Sequence, residues 1–393
     1  MSTSAAEAAF RKALEAPRPA EPARVETLRA EARQAFLAQG LPTTRHEDWR
    51  FTPLAKLDKI ELGSPELVVT LPKNLPAGCT IAPLPSDSER SSLGVCGDPK
   101  RRPFEALNMA LFDRGWQISI APGTKLEQPI ELWFDPRHGA SHVRVVVEAG
   151  AGSRAVIVER HAGSGHAALI NAVTELCVRR DAELSHVLVQ ELPESSLGFL
   201  TVLARQDAGS RLALHSIALG AALARVEVEA RLEGEDASAE LDGLYLGRGT
   251  QHQDHHTTID HAMPRTRSRE LFKGILDGRA HGVFHGRIHV RPDAQKIDAA
   301  QTNRALLLAD GAVVDSKPQL EIYADDVKCS HGASVGQLDS DALFYLRSRG
   351  LGEPEARALL TSAFASEVLE KLPASELRAH IEKDLLGWLG GAR

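Results

Sequence analysis

The sequence is poor in cysteine and aromatic residues, and it lacks long apolar runs. Only four cysteines occur in 393 residues, none in a C-x-x-C pair, so neither a disulfide framework nor a locally spaced zinc knuckle is expected. No apolar run approaches the ~18–20 residues that a membrane-spanning helix needs, and the N-terminal segment lacks the apolar core of a signal peptide. These absences predict a cytoplasmic protein whose metal sites use isolated ligands or are completed by a partner.

The charge is nearly balanced, and the common enzyme motifs are missing. A net charge of −7 argues against a dedicated nucleic-acid-binding protein, which is usually basic. The chain has no G-x-x-x-x-G-K-[ST] and no H-E-x-x-H sequence, and no G-x-G-x-x-G stands between a strand and a helix. We therefore expect no partnership with nucleic acid or membrane, and no enzyme with its own nucleotide-binding motif.

Three regions follow one another along the chain. Residues 1–115 are predicted to be helical and irregular, because runs of Ala, Glu, Arg and Leu alternate with proline-rich segments. Residues 116–337 contain short β-prone runs that end at turn residues. Residues 338–393 are again helical by their apolar spacing and their Gly and Pro boundaries.

The middle region is predicted to be a β-solenoid. Asp-Ala or Asp-Gly turns recur at 181, 207, 236, 277 and 310, at uneven intervals of which that between 236 and 277 is the widest. A loose period with several short strands per repeat is typical of such folds, and a β-sandwich is the alternative. Because the ends of a solenoid need cover, the terminal helical regions could cap them. The C-terminal helices could equally form a docking surface.

Two segments contain residues suited to metal or sulfur chemistry. "QHQDHHTTIDH" (251–261) includes His252, His255, His256 and His261, which could bind a divalent metal. Alternation along a strand sends neighbouring side chains to opposite faces, however, so at most part of this set can converge. Solvent-facing or stacked histidines are the alternative interpretation.

The second segment is "DDVKCSHGAS" (325–334), in which Cys329 and His331 share one face if the segment is a strand. The neighbouring cation Lys328 is expected to lower the pKa of the thiol and favour the thiolate. Two protein ligands make an incomplete metal site, so a functional interpretation requires ligands from another chain. A partly buried cysteine beside a hydrogen-bonded histidine is the structural alternative.

The chain resembles the SufB/SufD family of the SUF iron–sulfur cluster assembly system, and its SufD branch more than its SufB branch. The segments that carry this resemblance are "RHEDWRFTPL" (45–54), "ELFKGILDGRAHGVFHGRIHV" (270–290), "DAQKIDAAQTNRALLL" (293–308) and "DSKPQLEIYADDVKCSHGASVGQLDSDALFYLRSRGL" (315–351). The resemblance runs nearly from end to end. It implies a right-handed parallel β-helix flanked by helical regions.

The resemblance also implies partners and a site. The chain is expected to pair with a SufB-like paralogue, and each of the two to bind one SufC-like ATPase, here through helices near 338–389. The histidine matching His331 is expected to face a cysteine of the paralogue where a transient iron–sulfur cluster forms, with Cys329 as the matching thiol. Reduced FAD in the complex and a homodimer of the isolated chain are further possibilities from the family.

Two other functions remain open from the sequence. The chain could be a docking scaffold in which residues 329–331 have no ligand role. It could also be a self-sufficient metal-binding enzyme that uses the histidines of 252–261.

Overall fold

The protein is a two-sheet β-solenoid flanked by helices. The computed structural model describes residues 4–85, 91–163 and 166–390. The strands are β1 Glu66–Thr70, β2 Cys79–Leu84, β3 Arg114–Ile120, β4 Ile130–Ala149, β5 Arg154–Ala162, β6 Ala168–Val178, β7 Glu183–Glu191, β8 Leu197–Gln206, β9 Arg211–Ala218, β10 Leu223–Leu232, β11 Ser238–Gly247, β12 His252–His261, β13 Arg267–Leu276, β14 His281–Val290, β15 Ile297–Leu307, β16 Val313–Ile322 and β17 Val327–Gly336.

The helices lie near the two ends of the chain. They are α1 Ala5–Glu15, α2 Ala23–Gln39, α3 Pro103–Leu111, α4 Ser340–Ser348, α5 Glu353–Leu369 and α6 Ser375–Gly390, and short 3-10 helices cover Glu47–Trp49 and Leu54–Lys59. Among the described helices, none combines the length and the apolar composition that crossing a bilayer requires.

Successive strands alternate between two parallel sheets. From β5 onward, odd-numbered strands form the first sheet and even-numbered strands form the second, while β4 contributes to both. Each strand pairs in register with the strand two positions later, so that Leu197 is opposite Leu223 and His281 is opposite Val313. About eight turns result. The predicted solenoid is therefore confirmed.

One corner of the solenoid repeats a backbone conformation in consecutive coils. A residue with positive φ occurs once per coil at this corner, namely Gly123, Gly152, Asp181, Gly209, Asp236, Arg265 and Lys296. Each donates its backbone N–H to a carbonyl of the next coil, as Asp181 does to Ala208. The predicted turns near 277 and 310 belong to the opposite corner, beside Gly278. The turn series therefore mixed two corners, which explains its wide gap between 236 and 277.

The outer faces of both sheets are covered by helices. The N-terminal helices pack on the second sheet, where the Phe104 ring stacks on Phe199 with centroids 3.7 Å apart. Helices α5 and α6 pack on the first sheet, and Val368 and Ile381 lie in one apolar cluster with Val187. Of the two roles that the sequence left open for the terminal helices, these contacts show cover of the sheet faces in place of the ends, because apolar side chains line both faces of many strands and the outward rows need this cover.

The two ends of the solenoid differ. At the start, β1 pairs antiparallel with β4 and β2 pairs antiparallel with β3, so short strands inside residues 1–115 cover the first coil. At the far end, β16 pairs with β14 and β17 pairs with β15. Within residues 4–85, 91–163 and 166–390, no strand pairs with the outer edges of β16 and β17. We call this end of the molecule the open end.

Candidate functional site at the open end of the solenoid

Cys329 and His331 lie on β17, the last strand of the solenoid. In the parallel register, Cys329 is opposite Ala299 and His331 is opposite Gln301. Ala299 and Gln301 are buried inside the solenoid, with 2% and 1% of their surface exposed. Residues in register share a face. Both candidate side chains therefore belong to the inward-facing row, at a coil that no further coil covers.

Cys329 is half-buried at this end. It packs against the apolar cluster that contains Ile297 and Ala299. Burial raises the pKa of the Cys329 thiol, and the Asp298 carboxylate raises it further, while a hydrogen bond with the backbone of Ala299 lowers it. The expectation that Lys328 lowers this pKa is wrong, because the nearby charge that acts on the thiol is an anion from the preceding coil. The thiol form is favoured until a metal or base displaces its proton.

His331 is exposed on the inward row. Within the described part of the chain, its ring forms no hydrogen bond or ion pair. An imidazole without an internal partner is available to bind an ion or a group from another chain.

A buried polar group lies directly behind His331. Gln301 Nε2 donates a hydrogen bond to Glu270 Oε2 on the neighbouring strand β13. Burial raises the pKa of Glu270 to about 7, although hydrogen bonds with Gln301 and Thr257 oppose the increase. The sequence interpretation missed this pair. The available signal was the alternation in "RSRELFKG", which places Glu270 on the same side as the core residue Phe272.

The histidines of 252–261 lie in two separate places. His255 faces the interior, where its ring stacks on Tyr245 at 5.0 Å and burial lowers its pKa to about 4. His261 is also interior, between Thr266 Oγ1 at 2.7 Å and Ser268 Oγ at 3.0 Å.

The other two histidines of this segment lie on the outer face of the second sheet. His252 lies 3.0 Å from Thr52 Oγ1, and burial lowers its pKa to about 4. His256 Nε2 lies 3.0 Å from Asp254 Oδ1. Strand alternation thus separates the set, and the four histidines do not form one metal site.

Exposed apolar side chains surround the open end. Val335 on β17 is 52% exposed, and Phe344 on α4 is 74% exposed. The other large apolar side chains exposed in this area are Val313, Ile322, Tyr323 and Tyr345. Unpaired strand edges beside an apolar surface are typical of a protein–protein contact.

Comparison with known proteins identifies one matching family model and several similar proteins. A family model described as "SUF system FeS cluster assembly, SufBD core domain" matches residues 134–364. The iron–sulfur cluster assembly protein SufD of Escherichia coli K12 is 31% identical, with 88% of this chain and 89% of that protein covered. A SufBD family protein of Synechocystis is 30% identical over 87% of this chain and 86% of its own length. The chloroplastic protein ABCI7 of Arabidopsis thaliana is 36% identical, with 69% of this chain and 60% of that protein covered.

Proposed function

Because the chain belongs to the SufB/SufD core family of the SUF iron–sulfur cluster assembly system, we propose that it is a scaffold subunit of a cytoplasmic assembly complex. It pairs with a SufB-like paralogue through the open end and binds a SufC-like ATPase. His331 and Cys329 contribute to a nascent cluster at the interface with the paralogue. The chain itself has no catalytic activity in this proposal.

The observation that carries the proposal is an incomplete ligand pair at an uncovered coil. A thiol and an imidazole are suitable ligands for iron, but two ligands do not complete a site. Both groups lie in the inward row of β17, where a second chain can supply the missing ligands. The unpaired edges and the apolar surface around them support a docked partner.

The two residues have different roles in this proposal. His331 is exposed, and in this proposal its ring nitrogen binds iron or transfers a proton during cluster assembly. Cys329 is half-buried with a raised thiol pKa, so it becomes a ligand only when iron displaces its proton. His331 is therefore the primary ligand, and Cys329 assists it.

The C-terminal helices are the proposed binding surface for the ATPase. Helices α5 and α6 are attached to the first sheet by an apolar cluster, yet Leu359 is 50% exposed and Leu386 is 56% exposed on their outer side. A surface that is firmly attached on one side and apolar on the other suits a partner of the complex. In this proposal, reduced FAD is a ligand of the assembled complex and not of the isolated chain.

The test is cluster content in the three-component complex, purified without oxygen. We expect His331→Ala to leave subunit stoichiometry unchanged and to lower bound iron and acid-labile sulfide about tenfold or more, because a ligand is lost. Cys329→Ser should cause a smaller loss. His138→Ala, a 44% exposed histidine side chain on β4, is the matched control and should have no effect.

A docking scaffold without a ligand role makes a different prediction. The packing of Cys329 against apolar neighbours favours this second candidate. In that case both the His331 and the Cys329 variants retain full cluster content, and only changes on the C-terminal helices or at the strand edges reduce assembly. This outcome would contradict the proposed ligand role while leaving the family membership intact.

A further inference from the structure

A second group of possible metal ligands lies on the outer face of the second sheet. His256 on β12 and His285 on β14 are partners in the parallel register, and their ring centroids are 4.8 Å apart. The short helix Glu47–Trp49 places Asp48 beside them, with Asp48 Oδ1 3.7 Å from His285 Nδ1. One possible ligand atom from each of the three residues lies within 4.8 Å of the other two.

Neighbouring oxygen atoms hold the two imidazoles. His285 Nε2 lies 2.7 Å from Gln319 Oε1, which directs the other ring nitrogen towards Asp48. His256 Nε2 lies 3.0 Å from Asp254 Oδ1. Asp254 is fully buried, and apart from this contact its Oδ1 has no hydrogen-bond partner within the described part of the chain. A carboxylate or carbonyl oxygen on the far side of a ligating histidine is the usual outer shell of a metal site.

The charges around the group leave Asp48 available for a cation. Arg225 donates hydrogen bonds to Asp254 Oδ2 and to Glu227 Oε1 at 2.5 Å each, and its Nη1 also lies 3.0 Å from His256 Nε2. Its charge is therefore balanced by these two acids, and the contact with the ring involves Nε2 of His256. The contact of Asp48 with Arg287 is longer, at 3.7 Å between Oδ1 and Nη2. A weak ion pair of this kind, with Asp48 half-exposed, is easily exchanged for a metal ion.

A small cavity adjoins the three residues. Its volume is about 90 Å³, and Trp49 and the stacked rings of Phe104 and Phe199 form part of its wall. The cavity has room for a few water molecules. Three protein ligands beside such a cavity leave a coordination position for water, which is the arrangement of open metal sites.

We propose that Asp48, His256 and His285 bind one divalent transition-metal ion, of the class of Zn²⁺ or Fe²⁺. Two imidazoles and one carboxylate suit these metals and are too poor in oxygen for Mg²⁺ or Ca²⁺. The site lies on the outer face of the solenoid and is separate from residues 329–331 at the open end. It joins the segment around Asp48 to two coils of the second sheet, so the bound ion also stabilises the folded chain.

The test is a titration of the full chain with Co²⁺ as a spectroscopic probe, after removal of bound metal with a chelator. The chain carries His331→Ala, which removes the imidazole of the open end. We expect one Co²⁺ per chain with visible ligand-field absorption. Asp48→Asn, His256→Ala and His285→Ala should each weaken binding about tenfold or more. His289→Ala, on the same face of β14 four residues from His285, is the matched control and should bind normally.

Thermal unfolding with and without Co²⁺ gives a second measurement. Binding to the folded state alone raises the unfolding temperature, and the increase should disappear in Asp48→Asn, whose exposed side chain can be changed without disturbing the core. The proposal is overturned if the chain binds no Co²⁺, if binding survives all three substitutions, or if His289→Ala alone abolishes it. Loss of binding in a chain that keeps its circular dichroism and unfolding temperature supports it.

Discussion

His261 and His331 occupy the same kind of position in two different parts of the solenoid. Both lie in the inward row of a strand, but His261 is fully buried, contacts two hydroxyl groups, and has its pKa lowered to about 4 by burial. His331 is exposed because no coil follows β17. The comparison shows that the position of a coil, rather than the type of residue, decides whether an inward side chain is structural or available for chemistry.

The largest expected effect comes from removing a side chain in a covered coil. Phe272 is fully buried, with its ring 5.0 Å from that of Phe284. Phe272→Ala should lower the free energy of unfolding by about 3–5 kcal/mol, because it creates a cavity. Val335→Ala at the open end, where the side chain is 52% exposed, should change it by less than about 0.5 kcal/mol. Urea unfolding of both variants at two protein concentrations measures the difference.

Equal losses of unfolding free energy in Phe272→Ala and Val335→Ala would contradict the distinction between covered and uncovered coils. A loss in Val335→Ala that grows with protein concentration would instead show that the isolated chain covers its own open end by self-association. In the proposed complex with a SufB-like paralogue, we expect Val335→Ala to weaken binding even though it leaves the isolated chain stable.

The second-largest expected effect concerns Glu270, the buried acid behind His331, and is a pH-dependent change in the free energy of unfolding. The pKa of Glu270 is raised from the ordinary 4.5 to about 7 by burial, so its stabilising contribution is complete below pH 4.5 and is lost as the pH rises through 7. Glu270→Gln should therefore match the wild type near pH 4.5 and exceed its free energy of unfolding at pH 8 by on the order of 2–3 kcal/mol. Urea midpoints at the two pH values test this.

The control for this pH effect is Glu240→Gln, since Glu240 is an exposed acid on β11. It should show no comparable dependence on pH. A constant difference between Glu270→Gln and the wild type at both pH values would mean that Glu270 does not titrate in this range.

The smallest expected effect compares a helix at the open end with a helix on a covered face. Asp339 caps α4 by accepting hydrogen bonds from the backbone of Asp341 at 2.8 Å and Ala342 at 3.1 Å. Asp339→Ala should destabilise α4 by about 1 kcal/mol, which increases its amide hydrogen exchange about fivefold. None of the residues of α4 is buried, so packing does not compensate.

Ser4→Ala removes the corresponding cap of α1, where Ser4 Oγ accepts from the backbone of Glu7 at 3.2 Å. Phe10 and Leu14 bury one face of this helix, so its exchange should change less. Similar changes in both helices would indicate that the cap, and not the packed face, determines the local stability.

Local patterns in the sequence predicted several of these features. Alternating apolar residues and turn-forming residues indicated short strands in a repeating fold, and Gly and Pro marked helix boundaries, because both signals depend on neighbouring residues only. The same alternation separated His255 from His256 and placed Cys329 and His331 on one side of a strand. The family resemblance, carried by long segments such as 315–351, was confirmed.

The contacts between coils were decided by the tertiary structure. Asp298, which lies in the previous coil, raises the pKa of Cys329, and Gln301 forms a hydrogen bond with Glu270. Asp48 lies beside two histidines that are far from it in the sequence. Each of these contacts depends on the length of the connecting corners and on the strand register, which are properties of the assembled coils. For the same reason the sequence could not show that the helices cover the faces of the solenoid and leave its last coil open.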